Sequence, residues 1–395
     1  MGNQNKNRTA AKKGNVKKQF TLLALIPISA FLIKMIVMIN TVKGGWLGAD
    51  GENYLTAVDG LRADGFFSSA RNLHYWPAGY SLFIWPLTLV SIKNFLYLLS
   101  IIQGSLFAVA TYVFTRELSK TSIRYLAIPT SLIISFNPTL ALSSNVVGYE
   151  SPVAALIMFA IGLLLKDKIG NPDKPSNKLV ILSSISIGLA CFFQPRNLIF
   201  AFALTVVYML SISSKKLKIK FTSLSLIFSL IFPTVLIARN IEAIGSATIS
   251  TNLGTTMFIG IGDGATGGYN GKYNGVPCPG AEKGTESQID SAKVKCAIIW
   301  DLTNPRKSIV LAVKKSVFFW SPWFGPEANG TMARNPWLKI DPVKNGIKTQ
   351  QNQDLVFGPF GKIVSWLWIA GQLILLFVGL ISIWRMGGIE KLIAK

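Results

Sequence analysis

Long apolar runs alternate with short basic segments along most of this chain. The runs fall at 20–40, 94–115, 125–144, 152–165, 179–193, 198–212, 221–238 and 363–384. A hydrocarbon core about 30 Å thick takes roughly 20 helical residues to cross, so the pattern predicts an all-α polytopic membrane protein with about eight transmembrane helices. The run at 152–165 is short for a crossing, and its ends are expected to blur into the flanking polar residues.

Two apolar pieces break the pattern. GYSLFIWPLTLVSI (79–92) has fourteen residues and contains Pro86, which suits an interfacial or re-entrant helix. SIVLAVKKSVFFWSPW (308–323) is interrupted by Lys314 and Lys315 and reads as an interfacial helix. If the first piece crossed, RELSKTSIR (116–124) and the Lys-rich segments after it would lie outside. Kept on the surface, it leaves every short basic loop inside, as the positive-inside bias requires. Both termini are then cytoplasmic.

The chain divides accordingly. Residues 1–19 form a basic tail expected to be disordered, and 20–238 form a transmembrane module of seven spans that includes an outer loop at 41–93. Residues 239–362 form an outer loop domain, expected to fold as a small cap because a structureless loop of that size is uncommon. Residues 363–395 are the last span and a cytoplasmic tail. Lys34 inside the first run is expected to snorkel to the outer interface.

Composition changes this picture little. The charge of +22 would suit nucleic acid, but the Lys and Arg flank apolar runs, so topology explains them and no nucleic-acid partner is expected. Only 15% of residues are charged, against about 25% in soluble domains. Cys191 lies in an apolar run, whereas Cys278 and Cys296 share the outer loop, where a disulfide is plausible in an oxidising compartment. No Cys-His cluster has zinc spacing.

Candidate chemistry gathers at the predicted outer face. The loop at 44–85 carries Asp50, Glu52, Asp59, Asp64 and the one histidine, His74. Three further outer pieces bring Glu150, Arg196 in QPRN, and Arg239-Asn240. A carboxylate beside a hydroxyl can take its proton, and an Arg at the water–lipid boundary can hold a phosphate and stabilise its departure. The same set would serve phosphate-lipid binding without catalysis. Glu52, Asp59 and Asp64 read first as solvated charges. His74 has no neighbouring ligands, the pattern of a structural histidine, and is also a candidate contact to acceptor or phosphate. Tyr75, Trp76, Tyr80 and Trp85 fit an interfacial aromatic belt or a sugar-stacking platform.

GADGENYLTAVDGL (48–61) followed by YWPAGYSLF (75–83) resembles the first outer loop of the GT-C superfamily of membrane glycosyltransferases, which includes protein O-mannosyltransferases and the lipid A aminoarabinose transferase. Asp50 and Tyr54 match the first part of that pattern; Tyr75, Pro77, Gly79 and Tyr80 match the second, with Trp76, Ala78 and Ser81 as departures. NVVGYESP (145–152) is similar to the family's outer turn with an acidic residue, here Glu150. The stretch from Pro233 through Arg239-Asn240 to Ser250-Thr251-Asn252 resembles its Arg-Asn segment, and Asn304-Pro305 its later Asn-Pro segment.

The resemblance implies a GT-C fold and transfer of a sugar, with inversion, from a polyprenyl-phosphate donor to a glycan, lipid or protein acceptor. It makes Asp50 the general base. Glu52, Tyr54, His74, Tyr75, Glu150, Arg196, Arg239 and Asn240 become substrate contacts, the two Arg toward the donor phosphate. Where the family often has a basic residue before Pro, this chain has Gln194, with Arg196 two residues on. No cofactor is implied; a divalent cation between Asp50 and Glu150 stays open. The implied location is a bacterial inner membrane, with the site on its outer face. The alternative from another class is a transporter or assembly subunit for lipid-linked glycans.

Overall fold

The structure, a computed structural model, describes residues 2–41, 51–91, 94–137, 144–170, 174–267, 275–319 and 359–385. Every regular element among them is helical. In chain order they are α1 (Gly2–Thr41), α2 (Gly51–Asp64), α3 (Ala78–Val90), α4 (Phe95–Leu118), α5 (Ala127–Ser135), α6 (Glu150–Gly170), α7 (Asn177–Phe193), α8 (Leu198–Ser211), α9 (Lys215–Ile244), α10 (Leu253–Ile259), α11 (Glu286–Thr303), α12 (Pro305–Phe319) and α13 (Pro359–Arg385).

Among the described residues, three helices are long and apolar enough to cross a membrane: Lys18–Ile36 within α1, Phe95–Leu118 and Lys215–Ile244. Several other apolar helices are shorter, among them α3, α7 and α8, and at 1.5 Å per residue a 14-residue helix such as α8 reaches only about 21 Å. Within the third predicted run, 125–144, α5 ends at Ser135, and 138–143 lie outside the described residues. Asn137 precedes Pro138, and the residue before a proline is pushed out of helical backbone. At the other end of the chain, α1 starts at Gly2, so the basic segment expected as a disordered tail is helical.

The helices pack as a chain of neighbours: α4 on α6, α6 on α7, α7 on α9, α8 on α9, with α1 and α5 against α4. At Gly188 of α7 a Cβ would meet the Phe228 and Ser229 carbonyls of α9 at 2.9 and 3.0 Å. Small residues at such crossings let apolar helices approach closely enough for dispersion contacts to hold them. Several hydroxyls inside the bundle are satisfied within their own helices, as when Thr111 donates to the Phe107 carbonyl and Ser184 to that of Val180. The outward faces keep large apolar side chains exposed, among them Ile36, Ile199, Leu210 and Ile227. Lys34 departs from the snorkelling expectation. It is buried, with its ammonium 5.4 Å from the centre of the Phe107 ring on α4. Packing of α1 onto α4 covers that side of the helix.

The segment after α9 has its own small core of Ile261, Val276, Ala297 and Leu311, lined by Phe258 and Trp300. A Cys278–Cys296 disulfide ties the 275–280 loop to α11. The Asp290 carboxylate accepts from the backbone N–H of Gly254 at 2.7 Å and Thr255 at 3.3 Å, joining α11 to the start of α10. Burial pushes its pKa above the ordinary carboxylate value, against those two hydrogen bonds and Lys293.

Candidate active site

The WPAGY sequence explains one end of the bundle. Pro77 supplies the extended residue before α3, and Gly79 sits where a Cβ would lie 2.1 Å from the Phe192 carbonyl. Only glycine permits that approach of α3 to the end of α7. One residue on, the Tyr80 hydroxyl donates to Gln103 Oε1 at 3.0 Å and accepts from the Gly148 N–H at 2.8 Å. Gln103 Nε2 donates to the Val146 carbonyl at 2.9 Å. This buried amide, otherwise costly inside α4, is thereby satisfied and fixes the 144–148 turn that presents Tyr149 and Glu150.

Tyr149 is the hub of that end, and its role was not read from the sequence. Its hydroxyl accepts from Gln194 Nε2 at 2.8 Å and from Arg196 Nη2 at 3.4 Å. Its ring stands edge-on to Tyr54, 6.2 Å between centres; Tyr54 in turn lies 4.9 Å from Tyr80 and 6.3 Å from Trp76. Asn197 pins the QPRN turn by donating to the Ala190 and Gln194 carbonyls. Glu150 begins α6 and is exposed, as are Arg196 and Glu52 in the first turn of α2. Burial, and then the negative charge of Glu150, push the Tyr149 phenol above its ordinary pKa, with Arg196 and Gln194 opposing. Tyr54, Glu150 and Arg196 thus converge on one water-facing end. Asp50 lies outside the described residues, directly before Gly51, the first residue of α2.

The remaining candidates sit in a second cluster, between the first loop and the cap. Arg239 is fully buried. It donates from Nε to the Phe66 carbonyl at 3.0 Å, from Nη1 to the Leu73 carbonyl at 3.0 Å and to Asn240 Oδ1, and from Nη2 to the Ser68 carbonyl. Asn240 donates from Nδ2 to the Thr248 and Ile249 carbonyls at 2.8 and 3.1 Å. The Arg-Asn pair therefore stitches the 66–73 loop to the 248–249 segment entering the cap, and a phosphate could reach that guanidinium only by displacing backbone carbonyls. His74 is buried against the same seam, its Nδ1 3.3 Å from Glu286 Oε2 and 3.4 Å from Thr251 Oγ1. Thr251 donates its N–H to the His74 carbonyl at 2.7 Å, and Arg71 pairs with the other Glu286 oxygen. The half-buried Tyr75 ring lies 4.7 Å under the Arg71 guanidinium and 5.4 Å from Trp76. Burial pulls the His74 pKa below its ordinary value, Arg239 and Arg71 adding to the fall and Glu286 opposing it.

Sequence reasoning missed Arg71, Thr251 and Glu286. The one local signal was the Thr285-x-x-Gln288 capping box, which marks the start of α11 and so puts Glu286 in its first turn. Asp59 is paired with Arg62 at 3.1 Å, and Asp64 accepts from Ser68 at 3.1 Å, so both are local loop contacts. Among the described residues no three of His, Cys, Asp and Glu stand close enough to share a metal ion. Comparison of the chain with protein-family models, characterised proteins and solved structures finds no match.

Proposed function

We propose that this chain is an inverting membrane glycosyltransferase of the GT-C type, moving a sugar from a polyprenyl-phosphate donor to a glycan, lipid or protein acceptor. The observation that carries this reading is the water-facing convergence of Glu150, Arg196 and Tyr149 beside the start of α2, next in sequence to Asp50. A carboxylate at this end takes the proton of the acceptor hydroxyl. The hydroxyl oxygen attacks the anomeric carbon as the bond to the phosphate oxygen breaks, and Arg196 offsets the charge arriving on the leaving phosphate. Asp50 is assigned the base and Glu150 the positioning of acceptor or sugar. The half-buried Trp76 and Tyr149, backed by the buried Tyr54, offer aromatic faces and edges for a sugar ring.

The membrane setting is part of the proposal. Basic residues gather at the opposite end of the helices, in Arg116 of the last turn of α4 and Lys120 after it, Lys166 and Lys168 ending α6, and Lys215, Lys216 and Lys218 opening α9. The positive-inside bias makes that end cytoplasmic and the Glu150 end external. A disulfide in the cap suits an oxidising exterior. On this reading α5, α6, α7, α8 and α13 join α1, α4 and α9 to make about eight crossings, with the bundle thinner in places than a full bilayer.

The test is release of polyprenyl phosphate from labelled polyprenyl-phosphate sugars by the purified chain. Wild type releases it; Asp50→Asn inserts in the membrane normally and releases none. Turnover by Asp50→Asn at the wild-type rate removes Asp50 as the base. No release by wild type from any donor removes the transferase reading in favour of lipid-linked-glycan transport or assembly.

A further inference from the structure

The cap holds a second feature that the transfer chemistry does not use. A cleft of about 440 Å³ opens between α11, α12 and the turn at Gly262–Asp263. Arg306, Lys307 and Lys314 reach it from one face of α12, at helical spacings of one, eight and seven residues, and Trp300 forms part of its wall. Asp263 pairs with Lys307 at 2.8 Å. Arg306 and Lys314 have no carboxylate partner among the described residues, so the cleft carries an excess of two positive charges, three cations less one carboxylate. Beside it on the same helix runs an exposed apolar stripe of Ile309 at 67%, Val313 at 60% and Val317 at 63%. The stripe continues into the cleft at Val310.

An exposed apolar stripe next to an unneutralised basic cleft matches a ligand with an anionic head and an apolar tail. We infer that the cleft binds the phosphate of a membrane lipid, held by Arg306, Lys307 and Lys314, with the lipid tail along Ile309, Val313 and Val317. Asp263 positions Lys307 and weakens the site by its own charge. The inference does not rest on the transferase reading and is tested without an activity assay.

The experiment titrates phosphatidylglycerol into the full chain in dodecyl maltoside micelles and counts retained lipid by native mass spectrometry. Joint replacement Arg306→Gln, Lys307→Gln and Lys314→Gln weakens one bound phosphatidylglycerol on the order of a hundredfold, at about 1 kcal/mol per cation near an anionic lipid. Ile309→Ser with Val313→Ser weakens it about tenfold through lost apolar contact. Asp263→Asn, at an exposed position that folding does not depend on, tightens it about fivefold. Unchanged retention in the charge variant, or no tightening in Asp263→Asn, overturns the proposal. Displacement of the lipid by equimolar inorganic phosphate also overturns it, because the site would then be one for free phosphate.

Discussion

The two clusters of charged groups at the loop-bearing end of this bundle look alike in the sequence and differ in the fold. At the junction of first loop and cap, Arg239 is closed off from water, with its donors directed at the carbonyls of Phe66, Ser68 and Leu73 and at Asn240. At the Tyr149 end, Arg196 is exposed and, among the described residues, donates one long hydrogen bond, to the Tyr149 hydroxyl at 3.4 Å; Glu150 is exposed as well. The two are linked through the Tyr75–Trp76–Tyr54 aromatic contacts. An arginine whose fork is filled by backbone acceptors is architecture, because any ligand must first break bonds already made. An arginine held by one long contact is available. The comparison therefore divides the candidate residues by what already occupies them.

Replacing the two guanidiniums tests this division most directly. Arg239→Leu leaves two buried carbonyls and one part-buried one unmatched and is expected to cost about 3 kcal/mol, since each buried acceptor left without a donor costs roughly 1–3 kcal/mol. Arg196→Leu is expected to stay within about 0.5 kcal/mol of wild type, as surface changes usually do. Thermal unfolding in detergent compares the two. Equal destabilisation would erase the distinction between the clusters.

Gly79→Ala is the next largest effect. Its methyl would overlap the Phe192 carbonyl, so α3 must move off α7 and carry Tyr80 away from Gln103. Overpacking of this kind costs about 1–3 kcal/mol. It should also disturb the 144–148 turn, so transfer should fall together with stability. By contrast, Tyr149→Phe keeps the ring and loses only the hydroxyl that orders Gln194 and Arg196. Its expected signature is a loss in the proposed kcat/KM of about fivefold, near 1 kcal/mol for one hydrogen-bonded group, with unfolding unchanged.

The division of labour was only half legible in the sequence. Apolar runs marked the helices well where each run is bounded by charges. The expected 94–115 is realised as Phe95–Leu118, and 198–212 as Leu198–Ser211. They did not mark where α5 ends, because hydropathy cannot see the break at Ser135, and among the described residues three helices are long and apolar enough to match the expected crossings. The motif residues did converge in part, with Tyr54, Glu150 and Arg196 meeting at one end. What stayed hidden was occupancy. Arg239 and Arg196 are the same residue type near helix ends, and only the path of the 66–73 backbone decides which is saturated. Glu286 lies 215 positions from Arg71, too far for local pattern to pair them.

The smallest effect expected concerns the joint itself, and it sharpens the contrast from the buried side. Burial, Arg239 and Arg71 hold the folded His74 pKa below its unfolded value, and the pull of Glu286 does not reverse this. Between those two values the unfolded chain binds more protons than the folded one, so stability rises with pH in that window. It is fully present above the unfolded value near 6.5 and is lost as pH falls through the window. Melting temperature in detergent should therefore fall between pH 7 and pH 5, and His74→Gln should flatten that slope by removing the titrating group while keeping a side chain able to donate to Glu286. The Asp290 shift runs the other way, since a raised carboxylate pKa favours the folded state on acidification, and it belongs to a window starting near pH 4. A slope unchanged in His74→Gln would mean that the joint is held by Arg239 and Asn240 alone, with His74 a passive wall of the seam.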